Sequence, residues 1–155
     1  MGQLRIISGG QTGADRGALD AALQHGVPCG GWCPAGRLAE DGVIPEYLPV
    51  AELAGGSYAD RTRRNVRDAD GTAVFFCATL AGGSLLTRHC AESEAKPLLL
   101  IDAGTCSSVD AAVAISDFVR RHDIQVLNVA GPRTSEWPEA EAWVHDAVSR
   151  AIELL

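Results

Sequence analysis

The residues best suited to chemistry stand together near the start of the chain, in Gly9-Gly10-Gln11-Thr12-Gly13-Ala14-Asp15-Arg16. Glycines let the backbone approach a ligand closely, and the amide, hydroxyl, carboxylate and guanidinium that follow can hydrogen-bond an anion or exchange a proton with it. A second run, Gly82-Gly83-Ser84 with Thr87 close behind, repeats the glycine-hydroxyl combination, and a third, Ala130-Gly131-Pro132-Arg133, joins glycine to another guanidinium. Where such a run opens a helix, the free N–H groups and dipole of the first turn attract phosphate. Two glycine pairs in equivalent places favour anion binding over turn geometry alone. The first is neither a Walker A loop, since no Gly-Lys-Ser/Thr follows, nor a GxGxxG dinucleotide loop. Spacing therefore leaves the ligand's identity open.

Charge sharpens this reading. The chain carries a formal net charge of −7, yet Arg16, Arg37, Arg61, Arg64 and Arg133 fall in or near these segments, and guanidinium suits bidentate phosphate recognition. Arg63 and Arg67 read as a solvated helix face, whereas Arg61 and Asn65 share an i,i+4 face and are better candidates. Asp15, Glu40, Asp41 and Asp70 are potential general acids or bases, or metal ligands, if two of them converge. Asp15 equally suits a helix N-terminus, and Asp70 a turn before Gly71. No catalytic residue is assigned.

These residues need a scaffold that gathers loops. Leu4–Ser8 is a short apolar run, and Ala14–His25 places Ala18, Leu19, Ala22 and Leu23 on one helical face before Gly26 ends it. Val27–Trp32 reads as a second short strand, followed by a Gly- and Pro-rich loop to about Pro49. Tyr58–Asp68 reads as a polar helix, Thr72–Cys77 (TAVFFC) as a strand buried on both faces, Leu85–Ala95 as a helix and Leu98–Ile101 as another strand. Ser108 is placed as the cap of a helix with Val109, Ala112, Ile115 and Val119 on its apolar face; Gln125–Ala130 is then a strand and Trp137–Leu155 the final helix.

Alternation of this kind predicts right-handed βαβ crossovers. The expected fold is α/β, a Rossmann-like three-layer sandwich with a mostly parallel central sheet and helices on both faces, in one domain spanning residues 1–155. Ligands of such sheets bind beyond the carboxyl ends of the strands, where the glycine runs fall.

The acidic balance argues against nucleic-acid binding. No apolar run approaches the roughly 20 residues needed to cross a bilayer, and Met1–Ile7 lacks a signal peptide's apolar core, so no membrane association and a cytoplasmic location are expected. Cys29, Cys33, Cys77, Cys90 and Cys106 show no paired CxxC rhythm, so reduced thiols and no structural metal are expected, with Cys77 and Cys90 in the core. His25, His89, His122 and His145 show no metal-ligand spacing. Trp32, between Cys29 and Cys33, either stacks on a flat ligand or joins the core.

At ISGGQTGADRGALDAAL, GGWCPAGRLAEDG, RTRRNVRDADGT, the Gly82-Gly83 turn and LNVAGPRTS, the chain resembles the molybdenum-cofactor carrier family over nearly its whole length. The resemblance implies a Rossmann-like fold related to the lysine-decarboxylase-like nucleotide-binding superfamily, a homo-oligomer (dimer or tetramer), and a pocket for the phosphorylated molybdopterin cofactor. Its implied site comprises Gly9, Gly10, Gln11, Thr12, Gly13, Asp15 and Arg16, then Trp32, Pro34, Gly36, Arg37, Glu40, Asp41 and Gly42. Arg61, Thr62, Asn65, Gly82, Gly83, Thr87, Asn128, Gly131, Pro132 and Arg133 complete it, with Ser84 beside the second glycine pair. Phosphoribohydrolase relatives carry PGGxGTxxE with a catalytic glutamate; here His89 holds that place, and Ala35 stands where many carrier-family members have lysine.

The expected function is therefore that of a non-catalytic binding or carrier protein for a phosphorylated small molecule, either molybdenum cofactor (molybdopterin) or a nucleotide-like ligand. The alternatives are a hydrolase acting on a nucleotide-derived ligand through Asp15, Glu40 or Asp41, and a nucleotide-sensing regulatory domain.

Overall fold

A computed structural model describes residues 2–155. The first half of the chain runs through strand β1 (Arg5–Ile7), helix α1 (Ala14–Gln24), and the short strands β2 (Cys29–Gly30), β3 (Trp32–Cys33), β4 (Leu38–Ala39), β5 (Gly42–Val43) and β6 (Ala51–Glu52). Helix α2 (Tyr58–Asp68), strand β7 (Gly71–Phe76), helix α3 (Gly82–Ser93), strand β8 (Leu98–Asp102), helix α4 (Ser108–Arg121), strand β9 (Val126–Ala130) and helix α5 (Ala140–Leu154) follow. Five strands form one parallel sheet in the order β2-β1-β9-β7-β8.

That order creates the ligand-side crevice. From β1 the chain moves outward to β2 and from β7 outward to β8 in the opposite direction, while β9 is inserted between β1 and β7. Right-handed crossovers then put the helices leaving β1 and β7 on opposite faces. Accordingly α1 and α4 pack on α5, and α2 packs on α3. The loops after β1, β7 and β9, which hold the three glycine runs, meet at this divergence.

The main core joins Ile6, Phe75, Leu127 and Val129 of the sheet to Ala18, Ala22, Ile115, Val119, Val144 and Val148 of the helices. Each large aliphatic side chain so buried contributes roughly 1.5–3 kcal/mol. Two faces are narrower than their periodicity predicts: Ala18, Leu19 and Ala22 are buried but Leu23 is exposed, and Ala112, Ile115 and Val119 are buried while Val109 is exposed. Only one stripe of each helix meets the sheet.

Several boundaries also differ. The expected strand Val27–Trp32 is two strands, because Gly31 has φ 124° and a Cβ there would lie 2.1 Å from the Ser8 carbonyl oxygen. The chain turns at Gly31, and β3 leaves the main sheet to pair with β6. Ser107, not Ser108, caps α4: its hydroxyl accepts from the Asp110 N–H at 3.0 Å, while Ser108 Oγ donates to Asp146 Oδ2 at 2.5 Å. Helix α3 starts at Gly82, so its glycines form its first turn, and α5 starts at Ala140, after a turn through Pro138. Cys90 is buried, but Cys77 is exposed because β7 ends one residue before it.

The Gly- and Pro-rich stretch is an ordered subassembly. Ile44, Leu48 and Val50 bury against Leu19 and Cys33, and β4 pairs with β5 as an antiparallel hairpin.

Candidate ligand-binding site

A cleft of about 240 Å³ opens where the loops diverge. Gln11 and Asp15 form one wall, Tyr58, Arg61 and Thr62 of α2 another, Gly83, Ser84, Leu86 and Thr87 of α3 a third, and Ala130, Gly131, Arg133 and Glu136 close it beyond β9. Residues from every glycine run, up to 122 positions apart in sequence, thus face one space.

The two glycine-helix junctions are not equivalent, contrary to their similar sequences. The α1 start is closed by protein: the Ala14 N–H donates to the Pro132 carbonyl at 3.1 Å, Arg16 N–H to the Gln11 carbonyl at 3.2 Å, and Gln11 N–H to Asp15 Oδ2 at 3.1 Å. The α3 start has no side-chain cap, its cap position being Ala81, and Gly83 and Ser84 lie in the cleft wall. A Cβ on Gly83 would meet nothing within 4 Å. The fold does not need glycine there; its absence of a side chain leaves the positive end of a 12-residue helix accessible.

Arg61 lies across Gly9, where a Cβ would stand 1.9 Å from Arg61 Nη1. The glycine admits the guanidinium to within 3.8 Å of Asp15 Oδ2. Burial pushes the Asp15 carboxyl above its ordinary value, opposed by Arg61 and by the hydrogen bond from the Gln11 N–H. Desolvation wins, and the pair is not a strong ion pair. Two polar atoms in this wall, Arg61 Nε and Gln11 Oε1, are buried without a hydrogen-bond partner. Such atoms are rare in native proteins and call for a ligand or ordered water.

Other expected site residues hold loops together. Arg16 forms a bidentate pair with Asp41, Nη1 to Oδ2 at 2.6 Å and Nη2 to Oδ1 at 2.9 Å, and donates through Nε to the Gly10 carbonyl. That hydrogen bond holds the Asp41 carboxyl below its ordinary value. Glu40 accepts from the Thr12 hydroxyl and from Ser135, whose bonds likewise lower its pKa. Thr12 also accepts from the Thr134 N–H at 3.2 Å. These contacts fasten the β4–β5 hairpin, with Gly42 at its turn, to the loops after β1 and β9.

Arg37 corrects a further expectation. Its guanidinium donates to the carbonyls of Val50 at 2.7 Å, Pro45 at 2.9 Å, Leu48 at 3.1 Å and Ile44 at 3.4 Å. It stabilises its own loop, beside Pro34 and Gly36, instead of lending charge to the cleft. Asn65 pairs through its amide with the backbone N–H and carbonyl of Trp32, at 2.8 and 2.9 Å, tying α2 to β3. The Trp32 ring is covered by Arg64, with Cζ 4.7 Å from its centroid, and its Nε1 donates to Asp68. It therefore neither joins the core nor lines the cleft. Asn128 is buried in the sheet, with Nδ2 3.4 Å from Thr72 Oγ1. Asp70 braces the sheet by accepting from the Gln125 and Val126 N–H groups.

Residues 6–152 match the circularly permuted YpsA SLOG family. The chain belongs to that family. It is also similar to a solved protein from Syntrophus aciditrophicus SB that is provisionally named a molybdenum carrier, at 47% identity over 97% of this chain and 95% of the other, with a TM-score of 0.93. No curated protein matches.

In this member of the YpsA SLOG family, Tyr58, Leu86 and Glu136 join the cleft without having been singled out in the sequence. Glu136 had a legible signal, the i,i+3 spacing from Arg133 that pairs them at 3.3 Å. Tyr58 follows Ser57, the cap of α2, and its ring lies 5.8 Å from Arg61 Cζ. His89 is exposed on α3 and does not line the cleft. Among the described residues, no group of three or more His, Cys, Asp or Glu side chains is placed to hold a metal ion, and no helix is long and apolar enough to cross a membrane.

Proposed function

We propose that this protein binds a phosphorylated small molecule in the cleft, as a carrier or binding protein, with the phosphate at the uncapped start of α3. One juxtaposition carries the reading: that helix start faces a cleft also lined by Arg61, a half-buried side chain whose Nε is buried and unpartnered. Backbone N–H groups and guanidinium together match phosphate oxygens in charge and geometry, and Arg133 adds a second cation at the rim.

Molybdenum cofactor is the proposed cargo. The support is the 47% identical protein provisionally named a molybdenum carrier and a cleft suited to the phosphate of molybdopterin. At about 240 Å³ the cleft is smaller than the roughly 300–1,000 Å³ of pockets that enclose a whole small molecule. It would hold the phosphate and part of the cofactor without enclosing the whole molecule. A homo-oligomer, dimer or tetramer, and a cytoplasmic location belong to this proposal.

Native mass spectrometry of the purified protein, followed by identification of the released molecule, tests it. Retained molybdopterin, or saturable binding of the intact cofactor without turnover, is expected. No binding of molybdopterin, nucleotides or inorganic phosphate at high concentration would sink the reading.

One observation favours a second reading, hydrolysis of a nucleotide-derived ligand. Asp15 is a carboxyl of raised pKa in the cleft wall, a property common in catalytic acids and bases. Product formation abolished by Asp15→Ala in a folded protein would establish it; nucleotides recovered intact after long incubation would dismiss it.

A further inference from the structure

The cleft has a second polar requirement besides phosphate. We infer that Gln11 is a specificity residue whose side-chain oxygen accepts an N–H from the bound molecule, so that the preferred ligands join a phosphate to a nitrogen heterocycle bearing an N–H donor. The inference rests on the phosphate-binding reading above and adds the chemistry of the rest of the ligand.

The argument starts from one bond. Gln11 Nε2 donates to the Leu38 carbonyl at 2.8 Å. A backbone carbonyl can only accept, so turning the amide over would set two oxygens against each other. The amide orientation is thereby fixed, and the atom left over is Oε1, buried and without a partner. Gln11 is only 2% exposed and lines the cleft, so bulk water does not satisfy that oxygen and a donor on a molecule seated in the cleft can.

The residue is also held rigidly. Its backbone N–H donates to Asp15, and its carbonyl accepts from Arg16. Leu38 lies on the hairpin that the Arg16–Asp41 and Thr12–Glu40 contacts fasten in place. Those residues act on the ligand indirectly, by keeping the Leu38 carbonyl where it orients Gln11. A lone buried acceptor discriminates strongly, because a ligand without a donor leaves it unpaired. Leu86 and Ala130 supply apolar wall in the same cleft, fit for a ring.

Isothermal titration of the full chain tests the inference with inorganic phosphate, guanosine monophosphate and 6-(hydroxymethyl)pterin monophosphate, for wild type and Gln11→Met. At least one heterocyclic phosphate should bind wild type about tenfold or more tighter than inorganic phosphate, and the one that does identifies a purine or a pterin as the ring. Gln11→Met should remove that advantage, so that within the variant the heterocyclic phosphate binds no more than about twofold tighter than inorganic phosphate. Because this variant also breaks the bond to Leu38, wild type is titrated in parallel with a form of the preferred ligand lacking ring-edge N–H groups: purine riboside monophosphate, or the 2-dimethylamino-3-methyl pterin. That form should bind no better than inorganic phosphate. Equal wild-type affinity for all three probes, or an advantage surviving both changes, overturns the inference and leaves phosphate binding standing. If wild type binds none of them, the phosphate reading falls and takes this inference with it.

Discussion

Replacing Gly9 with alanine tests how the site is assembled. The new Cβ would lie 1.9 Å from Arg61 Nη1, 2.7 Å from its Cζ and 3.0 Å from Asp15 Oδ2. Backbone cannot yield as easily as a long side chain, so Arg61 must swing away from Asp15. At 3.8 Å the gross attraction of that pair is about 4 kcal/mol at an effective dielectric constant of about 20. The displaced guanidinium regains water and Asp15 can take up a proton, so the net destabilisation is about 1–3 kcal/mol. For a chain of this size, about 2 kcal/mol lowers Tm by roughly 4–8 °C. Losing the Arg61 contact should also weaken inorganic phosphate binding by about 10- to 100-fold. Differential scanning calorimetry and phosphate titration measure the two effects. In an Arg61→Met background most of the stability cost of Gly9→Ala should disappear, since the clash has gone. A Gly9→Ala protein with unchanged Tm and unchanged phosphate affinity would refute the placement of Arg61, and an equal Tm loss in both backgrounds would refute the mechanism.

Three further outcomes are expected. Gly83→Ala should raise stability by about 0.4–1 kcal/mol, because its φ is not positive and its Cβ meets nothing, yet weaken phosphate binding by narrowing the approach to α3; calorimetry and titration read the opposite signs. Arg37→Met should cost about 2–3 kcal/mol by stripping donors from several loop carbonyls and make residues 34–50 susceptible to limited proteolysis, with far less effect on phosphate affinity than Arg61→Met. Asp15→Asn should alter the pH dependence of stability. A raised folded-state pKa gives stability that is full below the ordinary value of 3.8 and is lost as pH rises through the folded value. The variant should therefore gain on wild type as pH rises from about 4 through the folded value. Parallel denaturation curves across that range would contradict the burial of this carboxyl.

Much of this protein was legible because it is written locally. The run TAVFFC, apolar on both faces after its first residue, marked the strand that became β7, and the polar helix Tyr58–Asp68 appeared with the bounds expected of it. Glycine runs after successive strands located the ligand side of the sheet. Such features depend on residues a few positions apart, whose backbone preferences and apolar periodicity need no knowledge of the rest of the chain. The helix faces were overestimated at Leu23 and Val109 for the same reason, since periodicity shows which residues share a face but not how much of it is covered.

Only the tertiary structure decided which charges meet. Arg16, Arg37 and Arg61 looked alike in sequence as phosphate ligands. One pairs with a carboxylate 25 residues away, one is surrounded by the carbonyls of its own loop, and one lies over Gly9 at the cleft. The two glycine-helix junctions also looked alike, until the Pro132 carbonyl closed the first and nothing capped the second. The physical cause is the strand order, because β9 inserted between β1 and β7 brings Pro132 against α1 and Arg133 to the cleft. Alternating strands and helices specify a parallel sheet, while the pairing of distant strands selects which loops share an edge and therefore which polar groups remain free for a ligand.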